Sequence, residues 1–180
     1  MNRYASRAGE KLQFALDKFK ISVKDLMCAD FGSSTGGFVD CLLQNGAKKV
    51  YSVDTAYGEL AWNLRNDPRV VVIERTNAMH VVLPEKVDLI TIDVGWTKQK
   101  DILPNAFNNL TDGGTIVTLI KPHYELGRGK LKVGQVEQVL QAVQEDIRNV
   151  GGKVDKLVES PLLGEKGKNR EFLALIKPET

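Results

Sequence analysis

The segment Asp30-Phe31-Gly32-Ser33-Ser34-Thr35-Gly36-Gly37-Phe38 joins an apolar run to a helical pattern through a turn that carries three glycines. Glycine at position 32 can take positive φ and puts no Cβ in a ligand's way, while the helix that follows offers free N–H groups. Such a turn suits a nucleotide-like ligand, and two versions of that ligand are disfavoured. The dinucleotide pattern G-x-G-x-x-G fails because Ser34 stands at the second glycine, and no Gly-Lys-Ser/Thr follows to make a phosphate loop. Asp54, about twenty residues further on, is spaced to accept hydrogen bonds from a ribose diol and to repel a 2′-phosphate. Four charged residues, Lys11, Asp93, Lys121 and Glu171, sit at points from which two cations and two anions could form one acid–base network.

The elements that must position these groups follow from periodicity. Leu12, Ala15, Leu16 and Phe19 fall on one helical face, so a helix is predicted from Ser6 to Phe19 with Ser6 as N-cap. After it, strands and helices alternate. Strands are predicted over 27–31, 49–54, 70–74, 87–93 and 115–120, with helices over 39–45, 59–65 and 98–109 and a Gly113-Gly114 turn before the fifth strand. A helix over 133–150 then precedes two strands, 154–160 and 172–177, which have no helix between them and are therefore antiparallel; the connection 161–170 is long enough to be a mobile loop. The expected architecture is a three-layer α/β sandwich with a mostly parallel sheet and one antiparallel strand near the C-terminus. Residues 1–20 form the helix bearing the first lysine, and 21–180 complete a single domain. Ligands of open parallel sheets bind beyond the carboxyl ends of the strands, which is where the glycine turn, Asp54, Thr76-Asn77, Asp93 and Lys121 fall.

The acid at the end of the first strand, the D-x-G-x-x-x-G-G turn and the second acid after the next strand resemble the S-adenosylmethionine site of Rossmann-like methyltransferases. Transfer of a methyl group to a ribose hydroxyl needs that hydroxyl held in line with the sulfonium and its proton removed as the bond forms. A lysine serves as base if part of its population is neutral. A neighbouring ammonium and desolvation favour the neutral form; carboxylates oppose it. Lys121 is the expected base.

The resemblance extends over nearly the whole chain. Ser6-Arg7-Ala8-Gly9-Glu10-Lys11-Leu12, the Asp30 to Phe38 turn, Arg65 to Val70, Glu74 to Asn77, Ile92-Asp93-Val94, Leu119-Ile120-Lys121-Pro122 and Asn169 to Leu173 resemble the TlyA, or haemolysin A, group of FtsJ-like ribose 2′-O-methyltransferases. The resemblance implies a catalytic tetrad at Lys11, Asp93, Lys121 and Glu171. It implies an S-adenosyl-L-methionine site using Asp30, Gly32, Ser33, Gly36, Gly37, Phe38, Asp54, Asn77 and Asp93, no metal, and an RNA substrate, ribosomal RNA or a ribosomal subunit. The family commonly carries a small RNA-binding domain ahead of this region. Two departures stand out: Ser-Arg-Ala-Gly where the family has Ser-Arg-Gly-Gly, and Val94-Gly95-Trp96 where Ser-Phe usually follows the aspartate. Trp96 either stacks on a base or, as large aromatics more often do, covers a pocket wall. His123 is expected in a loop with no proton-transfer duty.

Composition is that of an ordinary soluble globular domain. The 180 residues are 42% hydrophobic and 27% charged, with a net charge of +2. Eleven basic residues, Arg3, Arg7, Lys11, Lys98, Lys100, Arg128, Lys130, Lys132, Lys166, Lys168 and Arg170, fall in segments expected to border the ligand edge, a distribution suited to phosphate contacts. Cys28 and Cys41 read as reduced core thiols, and with only His80 and His123 besides, a zinc site lacks ligands. No apolar run reaches membrane-spanning length and the N-terminus has no signal-peptide pattern, so a cytoplasmic protein is expected. Two other readings remain at this point: a cofactor- and RNA-binding module that needs a partner domain for turnover, and a membrane-lysing haemolysin, which the absence of a spare amphipathic segment disfavours. A homodimer is left open.

Overall fold

In a computed structural model that describes residues 3–127, 131–132, 134–165 and 168–179, the chain forms one seven-stranded sheet covered by helices. The elements in order are α1 (Ala8–Phe19), β1 (Met27–Phe31), α2 (Gly37–Gln44), β2 (Lys49–Val53), α3 (Trp62–Arg65), β3 (Val70–Ile73) and β4 (Val87–Ile92). There follow α4 (Gln99–Asn108), β5 (Leu110–Ile120), α5 (Pro122–Glu125), α6 (Gln135–Asn149), β6 (Gly152–Glu159) and β7 (Phe172–Pro178). Arg128, Lys130 and Lys166 of the basic segments, and Val133 at the expected start of the long helix, lie outside the described residues.

The strand order is β3-β2-β1-β4-β5-β7-β6. All pairings from β3 to β5 are parallel, and β7 runs against both of its neighbours. The alternation of strand side chains explains the layers. Cys28 and Leu89 face the core formed with α1 and α2, while Ala29, Phe31, Ile90 and Ile92 face the core formed with α4 and α6. Both cysteines are buried and free.

Several expected boundaries move for local reasons. Ser6 does not cap α1; Arg7 is the boundary residue, without a side-chain cap, and only the Ser6 carbonyl accepts the Gly9 N–H, at 3.1 Å. The helix expected at 59–65 shrinks to the single turn of α3. β5 starts at Leu110 rather than 115, with Gly113-Gly114 inside it and the register against β4 shifting between Val87 and Leu89, so the glycines mark a bulge rather than a turn.

The register brings the chemistry to one edge. Phe31 pairs with Val53 and Ile92, and Val53 with Ile73, so the turns after β1, β2, β3 and β4 emerge side by side. Winding reverses between β1 and β4, which is the switch point where such sheets bind ligands. Because β7 is antiparallel, it is its beginning that reaches this edge: Ile120 pairs with Phe172, setting Glu171 beside Lys121.

Candidate active site

The glycine turn is built as its residue types demand. Gly32 has φ +88°, and a Cβ there would meet the Asp93 carbonyl oxygen at 2.5 Å; Gly36, at φ +101°, would meet Leu64 and Leu60. These positions let two turns touch at backbone level and leave open the space above them. The Gly32 and Ser33 amides both donate to Val53 O, and the Ser33 hydroxyl donates to Asp30 O at 3.0 Å. Ser34 N–H donates to Asp54 Oδ2 at 2.7 Å, and Ala56 N–H to Oδ1 at 2.8 Å. The Asp54 carboxylate thus orders the turn and still has acceptor capacity on each oxygen. Asn77 Oδ1 accepts the Met79 N–H at 2.9 Å, which fixes its amide at the chamber wall.

Above the turn lies a cavity of about 570 Å³ bordered by Lys11, Asp30, Phe38, Asp93, Lys121 and Glu171. A connected chamber of about 370 Å³ contains Asp54 and Asn77 and shares Gly32, Ser34 and Asp93 with it. Two ion pairs stand in the larger cavity: Lys11 Nζ to Glu171 Oε2 at 2.5 Å, nearly inaccessible, and Lys121 Nζ to Asp93 Oδ1 at 2.5 Å, partly open. Lys121 Nζ also lies 3.3 Å from Val94 O. Every residue expected at the site is therefore brought to these two chambers or to the turn that separates them.

Burial disfavours the Lys121 ammonium, but Asp93 and then Glu171 outweigh it, and its pKa lies above the ordinary lysine value. Of the opposing influences weighed from the sequence, the carboxylates outweigh burial, because one of them touches the ammonium directly. Asp30 is pushed the other way. It is fully buried, Oδ1 accepts the Thr91 hydroxyl at 2.7 Å, Oδ2 has no partner, and burial raises its pKa to about 7. A buried carboxyl oxygen without a partner at the cavity floor fits a cationic or hydrogen-bond-donating ligand group.

The surroundings of the cavity differ in part from the sequence reading. His123 is not in a loop; it is buried in α5 and borders the cavity. Trp96 is 65% exposed at φ +60° and packs against Tyr124, ring centroids 4.2 Å apart, so it flanks the cavity rather than sealing it. Glu125 accepts the Gln99 N–H at 3.0 Å, tying α5 to the first turn of α4. The one signal for such partners was polar residues inside apolar strands: Thr118 donates to Gln99 Oε1 just as Thr91 reaches Asp30.

Burial raises Glu125 to about 7, against the lowering effect of the Gln99 N–H. Between its ordinary value and about 7 the folded state holds a proton the unfolded chain has lost, so stability falls as pH rises through that window. Glu125→Gln keeps the acceptor and removes the charge. It is expected to be about 1–2 kcal/mol more stable than wild type at pH 8 and equal at pH 4, in urea melts at both pH values.

A family model for FtsJ-like methyltransferases matches residues 4–175. Hemolysin A of Brachyspira hyodysenteriae is 42% identical over 183 residues, covering 96% of this chain and 76% of that protein. The 16S/23S rRNA (cytidine-2′-O)-methyltransferase TlyA of Mycobacterium tuberculosis is 39% identical over 188 residues, covering 98% and 69%. Among solved structures, a protein of Streptococcus thermophilus described as a hemolysin superposes with a TM-score of 0.92 at 39% identity, covering 99% of this chain and 68% of that one. No helix among the described residues is long and apolar enough to cross a membrane, and none of their His, Cys, Asp and Glu side chains cluster in threes to hold a metal ion.

Proposed function

The chain belongs to the FtsJ-like methyltransferase family, and from that membership we propose that it methylates the 2′-hydroxyl of a ribose in ribosomal RNA, using S-adenosyl-L-methionine. The observation that carries the reading is the pair of ion pairs, Lys11–Glu171 and Lys121–Asp93, facing one cavity beside the glycine turn. The cofactor, when bound, supplies an electrophilic methyl group on a cationic sulfur. The glycine turn and Asp54, with Asn77 beside them, would hold its nucleoside part at the smaller chamber. Asp30, Ser33, Phe38 and Asp93 would hold the remainder at the larger one. Lys121 receives the hydroxyl proton, Asp93 orients it, and the Lys11–Glu171 pair sets the potential around it. The positive sulfur of the cofactor would favour the neutral amine of Lys121, against the two carboxylates that hold it charged.

The test is transfer of labelled methyl from S-adenosylmethionine to 16S and 23S rRNA, followed by nucleoside analysis. A 2′-O-methylated ribose is expected; label confined to a base, or absent, would overturn the reading. Cofactor affinity should depend on pH in a set direction. A cationic ligand group favours the Asp30 carboxylate, so binding takes place with proton release and tightens as pH rises from about 6 to 8. Titration calorimetry in two buffers of different ionisation enthalpy measures that proton directly.

A further inference from the structure

A second chamber, of about 550 Å³, adjoins the catalytic cavity at His123, which borders both. We propose that this chamber is a subsite for the nucleotide of the acceptor RNA that flanks the methylated one; the proposal rests on the reading above and extends it to a defined place on the protein.

The three spaces lie in series. The Asp54 chamber shares Gly32, Ser34 and Asp93 with the catalytic cavity, and the catalytic cavity shares His123 with the second chamber. If the methyl donor takes the Asp54 chamber and part of the catalytic cavity, the acceptor ribose takes the rest beside Lys121, and its neighbouring nucleotide falls toward His123.

The lining has the two chemistries a nucleotide needs. Leu131 and Val136, half-buried against the core, offer an apolar wall for a base. Lys132 and Lys168 are exposed at the rim and make no ion pair among the described residues, so their charge is available to phosphate. Arg170 is different: Glu137 and Glu159 hold it at 3.0 and 2.8 Å, and it acts as a fixed strut. The start of α6 also opens here; Gly134 precedes fifteen helical residues with no side-chain cap, and that end of a helix attracts anions.

His123 supplies the independent observation. It is 4% exposed, its Nδ1 has no hydrogen-bond partner, and burial lowers its pKa, so it is a neutral imidazole in the wall between two ligand spaces. An unpaired buried polar atom is costly unless something completes it. A phosphate oxygen in the second chamber would complete it by accepting from the tautomer that carries its proton on Nδ1, with the ring still neutral.

The chain has two histidines, His80 and His123, which makes the test simple. His80 donates its N–H to Asn77 O and so reports on the cofactor side. The full chain, labelled with ¹⁵N-histidine and saturated with S-adenosylhomocysteine, is titrated with cytidine 3′,5′-bisphosphate and, separately, with inorganic phosphate. The expected result is a saturable shift of the His123 ring signals, with His80 unmoved and with weaker binding of phosphate alone. The Lys132→Glu/Lys168→Glu double variant, altered only at exposed positions, should bind the bisphosphate about tenfold more weakly or worse. A silent His123, displacement of the bisphosphate by S-adenosylhomocysteine, equal affinity for inorganic phosphate, or an unaffected double variant would each overturn the proposal. Methyl transfer by the wild-type chain is assayed separately, so a failure there counts against the proposed function while the His123 response still decides whether the chamber takes a nucleotide.

Discussion

Lys121→Met is expected to slow methyl transfer by about 10³-fold while cofactor affinity changes little, because methionine keeps the length of the side chain and loses the group that takes the proton. Asp93 is left without its 2.5 Å partner at an oxygen that has no exposed surface, so a urea melt of the variant must show that the fold is kept. Lys121→Arg sharpens the test. Arginine preserves the positive charge beside Asp93 but does not deprotonate near neutral pH, so it should be nearly as inactive if Lys121 is a base and largely active if only its charge matters. The wild-type rate carries the same signature. Asp93 and Glu171 hold Lys121 above the ordinary lysine value despite burial, so only a small fraction is neutral at pH 7. The single-turnover rate should rise close to tenfold per pH unit between about pH 7 and 9, and this slope should vanish in the methionine variant. A variant rate within tenfold of wild type would remove Lys121 from the role of base.

Glu171→Ala is the second large effect, and it acts on folding as well as on the reaction. Lys11 is 6% exposed and Glu171 4%, and they meet at 2.5 Å. Removing the carboxylate leaves an ammonium buried and unpaired, which costs about 3 kcal/mol or more. The midpoint of urea unfolding measures it. Because the pair joins α1 to the segment entering β7, the loss is one of tertiary attachment and should be shared by Lys11→Met. The double variant Lys11→Met/Glu171→Leu replaces the pair with apolar groups and should regain most of the stability without regaining methyl transfer. If the double variant is as unstable as the sum of the singles, the pair is not the coupled unit its geometry describes. Gly164 belongs to the same arrangement. A Cβ there would lie 2.7 Å from Glu171 Oε1, and the Arg7 guanidinium donates to the neighbouring Leu163 carbonyl, so the loop packs against the pair at backbone level.

The helical face of Leu12, Ala15, Leu16 and Phe19, the alternating strands and the glycine turn could be read from the order of residues alone, because each is a local pattern whose period or steric demand is written within a few neighbours. The same holds for the reversal of the last strand, since two strands with no helix between them leave no room for a parallel crossover. The matches to familiar motifs named the four charged residues, but spacing could not say which cation meets which anion. That is decided by the register of β5 against β7: pairing Ile120 with Phe172 sets Glu171 in the cavity with Lys121, while the reach of α1 across β7 gives Glu171 to Lys11 and leaves Asp93 to Lys121. Proton affinities followed the same division. Whether Lys121 is raised or lowered, and whether Asp30 keeps a proton near pH 7, depends on burial and on charges brought from other strands. His123, Glu125 and the chamber beyond them gave no local signal, because their surroundings are assembled from segments far apart in the chain and exist only once those segments pack.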